Sequence, residues 1–182
     1  MQNHQLLEKM VLRQIQLITE TEDYTRLLDL FYSYFGALEL LIAEYISPEY
    51  LPDLSKRRKA DLITQDILSL NGRVPQLSES TALPVIKNNY QAFGALYVIE
   101  GSSLGGIHIA KMIQKKLPGI DAFLFFSGYG DKTHEKWNQF KHILDQLPGS
   151  PANINQIITG ALDTFLKFAE WIRSNIKSEV QT

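Results

Sequence analysis

The chain has 182 residues, 45% of them hydrophobic and 21% charged, an ordinary balance for a globular domain long enough to bury a core. It carries a formal net charge of −2 and no cysteine. That excludes disulfides, zinc–thiolate sites, iron–sulfur clusters and cysteine nucleophiles, and it argues against a nucleic-acid partner.

The hydrophobic period is helical from the start. The first segment carries Leu7, Met10, Val11, Ile15 and Ile18 at spacings of three and four. A second helix is predicted to open at Thr21, a residue suited to N-capping and followed by Glu22 and Asp23. Its stripe runs through Tyr24, Leu27, Leu28, Phe31, Phe35, Leu38, Ile42 and Tyr45, and "SPEYLPDL" ends it. A third helix is predicted over roughly 56–70, with Ala60, Ile63, Ile67 and Leu68 inward. After a polar loop, the longest segment covers about 88–117 and stops at Pro118-Gly119. "FLFFSGYG" reads as a connector, since no partner strand is visible. A fifth helix spans about 131–147 with Trp137, Phe140, Ile143 and Leu144. A sixth begins at Ser150-Pro151, with Ile154, Ile158, Leu162, Phe165, Phe168 and Ile172 expected inward. The pattern predicts one all-α domain over residues 1–182, packed helix on helix. No apolar run approaches the roughly 20 residues of a membrane span. No signal-peptide pattern is seen either, so the expected location is the cytoplasm, with no membrane partner.

Four basic residues crowd into "LSKRRKAD". Such a run is expected to form a solvated face, or else a docking patch for an acidic protein.

The long fourth segment contains "EGSSLGGIHIAK", with Gly101, Gly105 and Gly106 where a helix wants side chains. Each costs roughly 1 kcal/mol of helix propensity relative to alanine. At about 100° per residue, Gly94, Gly101 and Gly105 fall within about 40° of one another, and Gly106 widens the line. Bare backbone along a line admits either another helix or a flat rigid ligand, and it favours a bend. Ser102 and Ser103 can bond back to the preceding turn or hold water beside that backbone.

Two histidines bear on this line. His108 lies near the stripe and is expected to pack against a neighbouring helix. His4 lies on the stripe of Leu7, Val11, Ile15 and Ile18, with Glu8 one turn along. A carboxylate that takes the proton of one ring nitrogen leaves the other free for a metal. A chance pairing of a terminal histidine with Glu8 is the alternative.

Taken together, "HQLLEKM", "DYTRLLDLFYSYFGALE" and "FGALYVIEGSSLGGIHIAKMI" resemble the biliverdin-producing heme oxygenase family in its bacterial form, from His4 to about Ile172. The resemblance implies an all-α fold with heme between the first helix and a kinked distal helix. It implies His4 as the proximal iron ligand and Glu8 as the carboxylate that orients it. Gly101 and Gly105, followed by Gly106, then resemble the distal glycines over the heme plane. Lys111 resembles a residue that pairs with a propionate, and Arg13 is expected to help through its nearness to His4. Some family members carry an aspartate where this chain has Ser102, which implies a different distal water network here. Isoleucine follows Gly106 where glutamine is often found.

The implied reaction opens heme, both substrate and cofactor, to biliverdin, carbon monoxide and ferrous iron, using dioxygen and external electrons. Those electrons are expected from a ferredoxin- or flavodoxin-type partner, with the basic run as part of its docking surface. Gly101, Ser102 and Gly105 form the expected catalytic group. The alternative is a non-catalytic heme or tetrapyrrole binder of the same fold. A thiaminase-like activity would want a cysteine, which the chain lacks.

Overall fold

Helical periodicity governs the fold throughout. The computed structural model describes residues 2–147 and 149–176, with side chains from residue 5 onward. Six α-helices and no strands occur among the described residues: α1 (Gln2–Leu17), α2 (Thr21–Ala43), α3 (Asp61–Ser69), α4 (Asn89–Lys116), α5 (Thr133–Gln146) and α6 (Pro151–Asn175). No helix among them is long and apolar enough to cross a membrane.

The caps follow local chemistry. Ser150 accepts from the Asn153 amide and Pro151 takes the first helical position of α6, as expected. Gly119, at φ +95°, supplies the left-handed residue just beyond α4. The start of α2 differs from expectation. Glu20 is its extended N-cap residue, while Thr21 is already helical. The Asp23 carboxylate accepts from the main-chain amides of Thr19 and Glu20, at 2.8 and 3.1 Å, and so pairs the amides of the N-cap residue and of the residue before it. These charge-assisted bonds, that from Thr19 foremost, hold the Asp23 pKa below the usual carboxylate value.

The core sits around α2. Phe31, Tyr34 and Phe35 pack with Phe168 of α6 and with Phe125 and Phe126 of the connector after α4, most at tilted or edge-on angles. That connector is a run of turns, as its sequence suggested, and its amides are paired from the side. The buried Asp66 carboxylate of α3 accepts from Leu124 and Phe125 at 2.9 and 3.0 Å. A strand partner is therefore unnecessary.

Two helices and one loop depart from the sequence expectation. Helix α3 starts at Asp61 rather than near 56, preceded by a single tight turn at Leu54–Lys56, and Leu68 points outward. On α6, Ile154, Ile158 and Leu162 are each 44–51% exposed, while Phe168 and Ile172 are buried. The first half of that helix thus presents an apolar face that the protein itself does not cover. On the loop before α3, Arg57 and Arg58 are 3% and 5% exposed. The basic run is neither a solvated face nor a docking patch at those two positions.

Two contacts set the frame for α4. Its N-terminal half crosses α6, the most extensive helix pair in the fold. At its other end, Lys116 Nζ donates to the Gln16 and Ile18 carbonyls at 2.8 and 3.0 Å and so ties the end of α1 to the end of α4.

Candidate functional site

The glycines of α4 do not share one role. A Cβ on Gly94 would stand 2.0 Å from the Ile157 carbonyl oxygen of α6. A Cβ on Gly106 would stand 2.3 Å from the Phe126 carbonyl oxygen. Both positions are glycine because another backbone lies against them. Gly106 is therefore a packing residue on the connector side and is no part of an open glycine line. Gly105 is exposed and has nothing within 4 Å of the position a Cβ would take. Gly101 faces only the Trp137 ring of α5, at 3.6 Å. Helix α4 thus spends glycine at Gly105 with no atom of the described residues in front of it.

Further toward the start of α4, the helix with α5 and the first half of α6 encloses a cleft of about 550 Å³, which neither Gly101 nor Gly105 lines. Tyr97, Leu144, Ile157, Ile158 and Leu162 line it, and Tyr97 packs on Trp137 with ring centroids 5.0 Å apart. Its size and apolar lining are those of a small-molecule site.

Ser102 and Ser103 bond back to the preceding turn, donating to the Ile99 and Glu100 carbonyls at 2.7 and 2.6 Å. Ser102 also accepts from Arg58 Nη2 at 2.6 Å. Behind it lies a buried polar network. Arg57 Nη1 donates to Glu100 Oε2 at 2.9 Å, and the Tyr129 hydroxyl donates to the same carboxylate at 3.0 Å. Arg57 Nε and Lys136 Nζ share the two oxygens of Asp53 at 3.0 and 2.8 Å. Glu39 closes the network on the α2 side, accepting from the Ala60 amide at 2.9 Å. Burial raises the Glu39 pKa to about 7, against that hydrogen bond and the nearby lysine and arginine charges. Burial likewise pushes the Tyr129 hydroxyl well above its usual value, with the Glu100 charge adding to it.

Sequence reasoning missed this network. One signal was available: Glu100 ends the apolar stretch "FGALYVIE" in mid-helix. A carboxylate on a core face requires a buried donor, and two arginines lay ready in "KRRK".

The remaining expected residues fall as follows. The His4 side chain lies outside the described residues. Glu8 is exposed on α1, four positions further along. Arg13 is exposed as well, but nine residues at about 100° each put it on the opposite side of α1 from position 4. Nearness in sequence does not bring it to that side. Lys111 is exposed on α4, ten residues beyond Gly101. His108 is exposed rather than packed against a neighbouring helix.

The heme oxygenase family model matches residues 1–174. The chain belongs to the heme oxygenase family. A heme oxygenase of Xanthomonas campestris is 32% identical over 112 residues, which cover 62% of this chain and 66% of that protein. The match thus spans a little under two thirds of the relative. The fold is that of a heme oxygenase from Neisseria meningitidis, solved with NO and CO bound. That structure matches with a TM-score of 0.77 at 23% identity, over 92% of this chain and 84% of the other. The six helices described above are thus the heme oxygenase fold.

Proposed function

We propose that the chain binds heme between the start of α1 and the Gly101–Gly105 stretch of α4 and cleaves it oxidatively to biliverdin, carbon monoxide and ferrous iron. One observation carries the reading. Gly105 is exposed bare backbone, and among the described residues nothing lies within 4 Å of the position a Cβ would take. Packing explains Gly94 and Gly106, but not Gly105.

The residues present fit a flat macrocycle. Gly101 and Gly105 admit one face of it. The exposed Lys111 offers a cation to a carboxylate side chain of the ring. His4 is the proposed iron ligand, with Glu8 fixing its tautomer one turn along α1. The tie from Lys116 to Gln16 supports this pairing. Position 4 lies twelve residues before Gln16 and Gly105 eleven before Lys116, both about 17 Å along their helices.

Heme, when bound, supplies both the iron that activates dioxygen and the ring that is opened. The chain's own part is to orient the ring and exclude bulk water. Ser102, whose hydrogen goes to the Ile99 carbonyl, offers a lone pair beside the bare backbone. Electrons come from outside, from a ferredoxin- or flavodoxin-type donor, and the reaction is cytoplasmic. With Arg57 and Arg58 buried, such a donor would meet other cations, among them the exposed Lys111.

The test is a heme titration of the wild type beside His4→Ala, followed by reductant under oxygen. A Soret band that forms in the wild type, weakens in the variant, and then gives way to a bilin band supports the reading. Equal spectra and affinities would remove His4 as the ligand. A Soret band that survives reduction in air would mark a binder without the activity.

A further inference from the structure

Gly101 and Gly105 lie about one turn apart on α4, and only the first has a neighbour. Among the described residues, the one side chain near the position a Gly101 Cβ would take is the Trp137 indole, at 3.6 and 3.8 Å. These are ordinary contact distances, so the ring rests on this turn without itself demanding glycine there. One turn further, no described atom stands in front of Gly105. The edge of the indole therefore marks where the open stretch of α4 stops.

That edge is firmly backed. Trp137 packs on Phe140 of α5 with ring centroids 6.1 Å apart. Phe140 is fully buried and packs in turn on the buried Phe93 of α4, at 6.4 Å. The residue before the indole pins α5 as well, since Lys136 Nζ donates to Asp53 Oδ2 at 2.8 Å. Toward the start of α4, the Tyr97 ring meets the indole at 5.0 Å. The exposed Lys141 sets its ammonium 5.8 Å from the indole centroid. Beyond Tyr97 begins the apolar cleft of about 550 Å³, which Tyr97 lines and Trp137 does not. The Tyr97–Trp137 pair thus stands between two open spaces, the bare turn at Gly105 and that cleft.

We propose that Trp137 is a specificity-determining residue. Its indole stops a flat macrocycle lying on Gly105 from sliding toward the start of α4, and so selects which carbon bridge of the ring is opened. This rests on the heme-binding reading above. The bridges of the macrocycle are chemically alike, so selection among them needs a fixed obstacle in the plane of the ring. Bare backbone supplies none. An indole does, because it is large, has only two side-chain torsions, and is held here by Phe140 and Tyr97.

The experiment compares the wild type with Trp137→Ala and Trp137→Phe, each checked for folding by circular dichroism. One readout is the ratio of bilin isomers released on turnover, separated by chromatography. The other needs no turnover. It is the heme-methyl proton spectrum of the ferric cyanide complex at equilibrium, in which each seating of the ring gives its own set of resonances. The wild type is expected to show one dominant isomer and one dominant set. In Trp137→Ala the isomer ratio falls at least about tenfold, the lower end of what one apolar pocket contact contributes to discrimination. A second set of methyl resonances grows with it. Trp137→Phe, which keeps a flat ring, stays closer to the wild type than to the alanine variant in both readouts. A folded Trp137→Ala with the wild-type ratio and methyl pattern overturns the proposal. So does an altered ratio with an unchanged methyl pattern, or a phenylalanine variant as unselective as the alanine one. If Trp137→Ala does not fold, Trp137→Leu, which restores apolar bulk without a flat edge, takes its place in the same comparison. A wild type that forms no Soret complex overturns the heme reading and the wall with it. One that binds and opens heme, while the alanine variant keeps its isomer, overturns the wall alone.

Discussion

Gly94 of α4 and Gly160 of α6 each lie against the main chain of the other helix where the two cross. A Cβ on Gly94 would lie 2.0 Å from the Ile157 carbonyl oxygen, and one on Gly160 would lie 2.1 Å from the Gln91 carbonyl oxygen. Neither obstacle is a flexible side-chain end, so relief requires the helices to part. Gly94→Ala or Gly160→Ala is expected to lower stability by about 1–3 kcal/mol or more, the usual cost of overpacking. Urea unfolding of the heme-free protein checks it. A loss under 0.5 kcal/mol, roughly the scatter of neutral surface changes, would mean that the crossing is looser than described.

The Arg57–Glu100 pair has both side chains only 1% exposed. Glu100→Ala leaves Arg57 Nη1 only its long 3.4 Å bond to the Lys136 carbonyl and removes the acceptor of the Tyr129 hydroxyl. Breaking a buried pair from one side costs about 3–5 kcal/mol. Glu100→Gln keeps an acceptor oxygen and is expected to lose less. Urea midpoints of the two variants should fall in that order, and equal midpoints would show that the charge itself contributes nothing.

Glu39 gives the network a pH dependence. Its folded-state pKa is raised from 4.5 to about 7, chiefly by burial. Between those values the folded protein holds a proton that the unfolded chain has released. Stability from this group is therefore complete below about 4.5, falls as pH rises through the window, and is level above about 7. Glu39→Gln removes the titration. Relative to the wild type it should gain about 2–3 kcal/mol between pH 4.5 and 8. Urea unfolding at both pH values measures this, and a difference that does not change with pH would place the Glu39 carboxyl in contact with water.

The helices were legible in the sequence because burial on one face leaves a period of 3.6, as in Leu7, Val11, Ile15 and Ile18. The bare backbone at Gly105 was legible because glycine in a helix is costly without a reason. What was not legible is which reason holds at each glycine. Gly94 and Gly106 meet backbones from Ile157 and Phe126, far away in sequence, and no local pattern encodes them. Ile154, Ile158 and Leu162 kept a perfect inward period while facing a cleft, since periodicity records an apolar surround and not whether protein or ligand provides it. Arg57 and Arg58 were misread for a related reason: a charge run is ordinarily solvated, and only the tertiary meeting with Glu100 and Ser102 overrides that.

Gly105 separates the two reasons most cleanly. Among the described residues nothing lies within 4 Å of its absent Cβ, so alanine meets no clash with them. In the heme-free protein, Gly105→Ala removes the glycine penalty and should stabilise by about 0.5–1 kcal/mol. Gly105→Leu is also tolerated, since its side chain enters open space. With heme the sign reverses, because the added atoms stand where the ring would lie. Affinity should fall modestly for alanine and by at least about tenfold for leucine, the loss that 1.4 kcal/mol of steric conflict produces. The two measurements are a thermal melt without heme and a Soret titration. A leucine variant that is stabilised and binds heme like the wild type would show that the open face of α4 serves some other ligand. One that is destabilised without heme would show that this face is covered by the protein after all.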